Sequence, residues 1–256
     1  MFLKMNIIGN KIHLGIAAIL FIVFFTSCNK DDGESSQTDL DVNGFWIVVD
    51  ESTGNCGGDL ETDYNTVIYS VEQSGASLKI TVYPNEDIIY GQLNGNNLTW
   101  SGTLPTISGN LDIDFNGTVN SGGNTINGEG EWEWYNDSYS CTGISTISGN
   151  KVEEADMDFS GDWNGFWDSE EYGMGGTFSA NVSQDGNSLN GTISVSEIGM
   201  ENVALAGMVH GNVVYFGDVE GVIKFAGTID EDHATGAYSY NSLSDEGSWS
   251  AFRGIY

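Results

Sequence analysis

Few residues in this 256-residue chain could do chemistry: three cysteines, three histidines and a large surplus of carboxylates. His210 and His233 have neither a second histidine nor a cysteine at metal-ligand spacing, and both fall in turn-like segments that read as surface. The carboxylate runs Glu153-Glu154 and Asp230-Glu231-Asp232 are what a strongly acidic surface yields by chance. The second could hold a calcium ion through loop oxygens, but it lacks a calcium-loop motif. There is no Ser-His-Asp arrangement, glycine-rich phosphate loop or zinc signature. The sequence therefore predicts no catalytic residue, no metal and no cofactor. The cysteines remain. Cys28 follows directly on an apolar run, whereas Cys56 and Cys141 can meet only if a fold brings them together.

Lys4 and Lys11 lead into the apolar run Leu14 to Phe25 (LGIAAILFIVFF), which ends in Phe25-Thr26-Ser27-Cys28. The run falls short of the roughly 20 residues a membrane-spanning helix needs. Small polar residues ahead of a cysteine make a processing site, so the stretch reads as a secretory signal. The ending FTSC resembles a bacterial lipobox. That resemblance implies that Cys28 receives a diacylglyceryl group and becomes the first residue of the mature chain. The following Asn29-Lys30-Asp31-Asp32-Gly33-Glu34 resembles the lysine-then-acids signal that sends Bacteroidetes lipoproteins to the outer face of the outer membrane. Residues 1–27 are thus expected to be a signal peptide and 28–41 an acidic tether, with the membrane as a partner through the lipid on Cys28. Beyond the signal only Lys30, Lys79, Lys151, Lys224 and Arg253 are basic, against 37 acidic residues. So acidic a chain repels nucleic acid and anionic head groups.

The elements that must position everything else are strands. Turn residues, among them 35 glycines, recur between short alternating segments rich in Val, Ile, Thr, Tyr, Phe and Trp, while proline is almost absent. The tetrapeptide NGFW occurs at 43–46 and at 164–167, and further matches follow in the same order: VEQSGASLKIT (71–81) with VSQDGNSLNGT (182–192), GQLNGNNLTW (91–100) with GMVHGNVVYF (207–216), and FNGTVN (115–120) with FAGTID (225–230). The period of a little over 100 residues is that of a duplicated domain. The best superposition pairs Trp46 with Trp163 and leaves the second NGFW four residues out of register. Each copy divides into eight segments, near 44–53, 63–73, 77–84, 87–94, 97–103, 110–119, 125–135 and 139–148 in the first. In the second they fall near 161–170, 176–184, 187–196, 201–209, 212–218, 221–229, 234–241 and 246–254. The expected fold is all-β: two tandem eight-stranded antiparallel up-and-down barrels, 42–148 and 159–256, joined by a linker at 149–158. Closure removes the edges an open sheet would expose. In such a barrel the end of the first strand lies beside the start of the eighth, so Cys56 and Cys141 are expected to form a disulfide in an oxidising, exported location.

Gly44-Phe45-Trp46 and Gly161-Asp162-Trp163 both read G-x-W at the first strand, and a lone basic residue, Lys151 or Arg253, closes each copy. This resembles the lipocalin, fatty-acid-binding and avidin group of barrels. The resemblance implies that the first-strand tryptophan packs beneath the terminal cation.

Alternation turns Leu111, Ile113 and Phe115 one way and Asp112 and Asp114 the other; Trp132 and Trp134 likewise oppose Glu129, Glu131 and Glu133. The carboxylates are expected outside and the aromatics inside. An eight-stranded barrel holds its own side chains or one small ligand. The first copy, with Trp46, Trp100, Trp132 and Trp134, is expected to be crowded and structural. The second sets Ala180, Gly191 and Ala251 on the faces of Phe178, Leu189 and Trp249, which leaves room. The candidate ligand residues are therefore Trp163, Tyr238, Tyr240 and Trp249, with Arg253 closing the base. The expected role is a surface-exposed outer-membrane lipoprotein acting as a non-catalytic module for a small apolar or aromatic ligand or a cell-surface partner. A glycan-processing enzyme or accessory subunit, with two carboxylates about 5–10 Å apart across a cleft, and a ligand-free stalk or adhesin are the alternatives.

Overall fold

The structure, a computed structural model, describes residues 40–56, 60–106, 108–152, 157–169, 172–241 and 245–254. The signal segment, Cys28 and the carboxylates Glu153 and Glu154 lie outside these residues. Strands β1 (Gly44–Gly54), β2 (Glu61–Ser74), β3 (Ser77–Tyr83), β4 (Asp87–Asn94), β5 (Asn97–Thr106), β6 (Gly109–Val119), β7 (Thr125–Tyr135) and β8 (Ser140–Lys151) pair in sequence order, and β8 returns to β1. Strands β9 (Gly161–Ser169), β10 (Gly175–Asp185), β11 (Ser188–Val195), β12 (Met200–His210), β13 (Val213–Asp218), β14 (Ile223–Asp230), β15 (His233–Tyr240) and β16 (Asp245–Arg253) close likewise through β16 and β9. A 3-10 turn, Ser196–Ile198, separates β11 from β12. Both barrels are antiparallel and up-and-down, each strand joined to its neighbour by a short hairpin.

Alternation sets the faces. Along β7 the acids Glu129, Glu131 and Glu133 are exposed while Ile126, Trp132 and Trp134 turn inward. In β14, Ile223, Phe225 and Ile229 are buried in the lumen. An apolar interior and an acidic exterior are the reverse of a membrane-spanning barrel, whose apolar band faces lipid. No helix among the described residues is long and apolar enough to cross a membrane.

One strand end departs from expectation. β8 runs on to Lys151, so Gly149, Asn150 and Lys151 are strand, where a linker was expected from residue 149. Gly149-Asn150 reads locally as a turn, but β1 offers its backbone up to Trp46 and the ladder continues to satisfy it: Trp46 lies opposite Lys151. The two histidines also end up in strands, at the last position of β12 and the first of β15, where turns were expected.

Rings laid over glycine pairs fill much of each lumen. In the first barrel Trp100 stacks on Phe115 at 3.7 Å, and Trp132 covers Gly54 and Gly143, which lie opposite each other; a β-carbon on either would stand 2.2 Å from the ring. In the second, Trp249 lies near the facing pair Gly227 and Gly236 and donates its indole N–H to the carbonyls of Ala226 (3.1 Å) and Ala237 (3.0 Å). A β-carbon at 236 would fall 1.9 Å from the Ala226 carbonyl oxygen, so the backbone would have to part. Gly236→Ala is therefore expected to cost about 3 kcal/mol, the upper end for overpacking. Chemical denaturation would check it, and a loss below about 0.5 kcal/mol, an ordinary surface effect, would show that the strands yield freely.

The outer faces of β1 and β2 meet those of β13 and β14. Ile68, Val152, Val213 and Ala226 form a small separate core there, with Phe45, Ile47, Tyr83 and Tyr215 packed around it. Phe45 lies 5.1 Å from His210 and Tyr83 4.7 Å from Tyr215, between ring centroids, and Lys224 pairs with Glu86 across the seam. His210 is thus a packing residue between barrels as well as a strand end.

Candidate functional site

Each barrel has one closed end, built the same way in both copies. The Trp46 indole donates to the Val42 carbonyl and the Trp163 indole to the Phe159 carbonyl, both at 2.9 Å. Gln73 accepts from Val42 N–H and donates to the carbonyls of Leu40 and Gly75; Gln184 does the same with Phe159, Met157 and Gly186. Both glutamines sit in the matched VEQSG and VSQDG stretches, so the signal was in the repeat, though nothing in a single copy marks them as a latch. Arg253 lies opposite Trp163, with its guanidinium carbon 5.2 Å from the ring centroid, and bonds Asp232 at 2.8 Å and the carbonyls of Asp158, Ser160 and Glu231. Such a cation contributes up to about 2 kcal/mol when desolvated. Lys151 holds the matching position over Gly44 and donates to the Asp41 carbonyl at 3.2 Å. Trp163 and Arg253 are therefore parts of a plug.

The opposite ends differ. In the first barrel the β1–β8 register, carried two residues past Gly54 and Gly143, sets Cys56 opposite Cys141, and the two are joined in a disulfide with a Cα–Cα distance of 5.1 Å. Trp132 occupies the space just inside, and Trp134 donates to Thr106 Oγ1 at 3.1 Å. In the second barrel, the matching end holds a cavity of about 330 Å³. This is the low end of the range for small-molecule sites. Its walls are Trp167, Val195, Ile198, Ile223, Tyr238 and Tyr240, with Met174 at the rim. Trp167 and Tyr238 meet edge to face at 5.6 Å. Larger concavities lie outside the barrels and are open to solvent, one beside Asp112, Asp114, Glu131 and Glu133 and another beside Phe166 and Phe252.

Of the five residues expected to surround a ligand, Tyr238 and Tyr240 line this cavity. Trp249 lies deeper, buried among Phe178, Phe216 and Phe225, and Trp163 and Arg253 sit at the far base. Period-two alternation reports which face a side chain takes, not how deep along the barrel it lies. Trp167, from the out-of-register NGFW, shares the inward face of Trp163 four residues on, and it is this second tryptophan that reaches the mouth.

No family model matches the chain, and no curated protein does. Among solved structures it is similar to a protein of unknown function from the DUF3598 family of Nostoc punctiforme PCC 73102, at 12% identity over 85% of this chain and 97% of that one, with a TM-score of 0.24. It is also similar to a presumed outer membrane protein of Bacteroides fragilis NCTC 9343, at 11% identity over 84% and 98% of the two chains, with a TM-score of 0.28.

Two carboxylates reach the cavity. Asp245, 4% exposed, accepts from Ser169 Oγ at 2.6 Å through one oxygen and from Tyr238 Oη at 2.7 Å through the other. Burial, then the Asp245 hydrogen bond, pushes the Tyr238 phenol well above its ordinary range, so it stays a neutral donor. Glu197, at the rim, is held below the usual carboxylate range, chiefly by the Ser196 hydroxyl. The buried Trp167 indole N–H reaches toward Glu197 without a well-formed bond to any acceptor. Neither Asp245 nor Glu197 featured among the residues expected to do chemistry; in a chain with 37 acids, only the fold distinguishes an inward aspartate from an outward one.

Proposed function

We propose that this protein is a lipid-anchored protein of the outer membrane, exposed at the cell surface, in which the second barrel binds a small, largely apolar molecule and the first barrel is a structural spacer. The observation that carries the binding reading is the contrast between the same end of the two barrels: one strapped by a disulfide and filled by Trp132, the other holding an aromatic-walled cavity backed by a packed core. The sequence from Lys4 to Glu34 supports the address.

The carboxylates favour binding over glycan chemistry. A glycosidic acid needs a carboxyl whose proton is retained near neutral pH. Glu197 is shifted in the opposite direction, and Asp245 has both oxygens engaged by donors.

Titrating the full mature chain with the neutral apolar dye N-phenyl-1-naphthylamine tests the reading. Ile198 is partly buried and lines the cavity, so Ile198→Trp fills it. The dye is expected to bind the unaltered protein and to lose at least tenfold in affinity for I198W, whose melting should remain that of the parent. Equal binding by both proteins would move the site elsewhere.

A further inference from the structure

We infer that the cavity of the second barrel selects an amine: a ligand with one positive charge on a short apolar or aromatic body. This rests on the reading of that cavity as a ligand site and adds the ligand's charge.

The argument is one of unmatched charge. Asp245 is almost fully buried beside an apolar cavity, and its two partners, the hydroxyls of Ser169 and Tyr238, are both neutral. Each carboxylate oxygen meets one hydroxyl, and none of the ion pairs among the described residues involves Asp245. Buried charges are normally paired with a counter-charge, because desolvation without one is costly. The second barrel has only two basic residues beyond β9, and both are committed elsewhere: Lys224 faces outward to Glu86, and Arg253 lies at the opposite end over Trp163. Glu197 adds a second negative group at the rim. A ligand carboxylate or phosphate would enter a cavity with no cation to meet it, whereas an ammonium would find a buried carboxylate, and the faces of Trp167, Tyr238 and Tyr240 attract cations in their own right. A calcium ion fits less well, since it takes six to eight oxygen ligands, and the described residues contain no cluster of three or more metal-binding side chains.

Three probes of one shape decide the matter on the full mature chain: 4-phenylbutylamine, 4-phenylbutanol and 4-phenylbutyrate, which carry positive, zero and negative charge. Calorimetric titration is expected to give the amine at least tenfold tighter binding than the alcohol, and no measurable binding of the acid. Asp245→Asn should bring the amine down to the level of the alcohol and leave the alcohol unchanged. Binding of the alcohol or the acid as tight as the amine would overturn the charge assignment while leaving the cavity a ligand site. Failure of all three would overturn both. The comparison on the unaltered protein stands even if D245N does not fold, and Glu197→Gln, at the exposed rim, should then weaken the amine alone. An unchanged amine-to-alcohol ratio in whichever variants fold would count against the proposal.

Discussion

Removing the Cys56–Cys141 bridge, by Cys56→Ser with Cys141→Ser, is expected to lower the stability of the first barrel by roughly 4–5 kcal/mol and leave the second barrel's own stability nearly unchanged. The bridge spans a sequence separation of 85 residues, and chain-entropy arguments for a loop of that length give this magnitude. It also joins β1 to β8, the one pairing that closes the sheet and that hairpin connections do not enforce. Once it is opened, the barrel keeps only the β1–β8 ladder, from Trp46 opposite Lys151 to Gly54 opposite Gly143, to hold its ends together. Two barrels need not unfold in one step, so hydrogen exchange read separately on β1 and β8 and on β9 and β16 is the appropriate measurement. Slow exchange in β1 and β8 that survives the double substitution would contradict it, as would two titratable thiols in the denatured, unreduced mature protein.

Cys28→Ala is expected to move the protein from the membrane fraction to the soluble fraction almost completely. Each buried methylene of an acyl chain contributes roughly 0.8 kcal/mol of membrane affinity, so two or more chains hold firmly and none hold nothing. The buried apolar side chains of the folded part turn into the lumens or the seam between the barrels, and those left on the acidic outer faces, such as Tyr64, Ile144 and Phe166, are scattered among carboxylates, so the acyl chains are expected to carry the attachment. Fractionation of cells expressing the variant reads the outcome directly, and unchanged membrane retention would remove the anchor from the account.

Much of the architecture was legible because its signals are local and repeated. The segment 125–135 is β7 without change, an alternating run bounded by asparagines, and that near 212–218 is β13 at Val213–Asp218, a short apolar run after asparagine. The Cys56–Cys141 contact followed from counting strands around a closed sheet. What failed to show was how far β8 runs, since residues 149–151 were expected in a linker. Lys151 stands opposite Trp46 because two strands some 100 residues apart slide to one alignment, and the glycine ahead of it disguised the strand as a loop. The cavity was half visible. Tyr238 and Tyr240 declared their face, but Asp245 lies in the turn-rich run before Gly247, and its partner Ser169 is the last residue of β9. Neither type nor spacing marks that pair; only the β9–β16 ladder, which sets Ser169 opposite Gly247, brings them together.

The latch at the closed end of the first barrel also bears on mechanics. Any pull transmitted from the chain ahead of Leu40 arrives where Gln73 grips Leu40 and Val42 and where Trp46 and Lys151 flank the start of β1. Such a load would tend to peel that strand away from its neighbours one hydrogen bond at a time. The far end of the same strand is held covalently to β8, so the peeling front meets a stop before the strand can leave. A load applied ahead of Leu40 is therefore expected to act on the first barrel's leading strand before it reaches the second barrel.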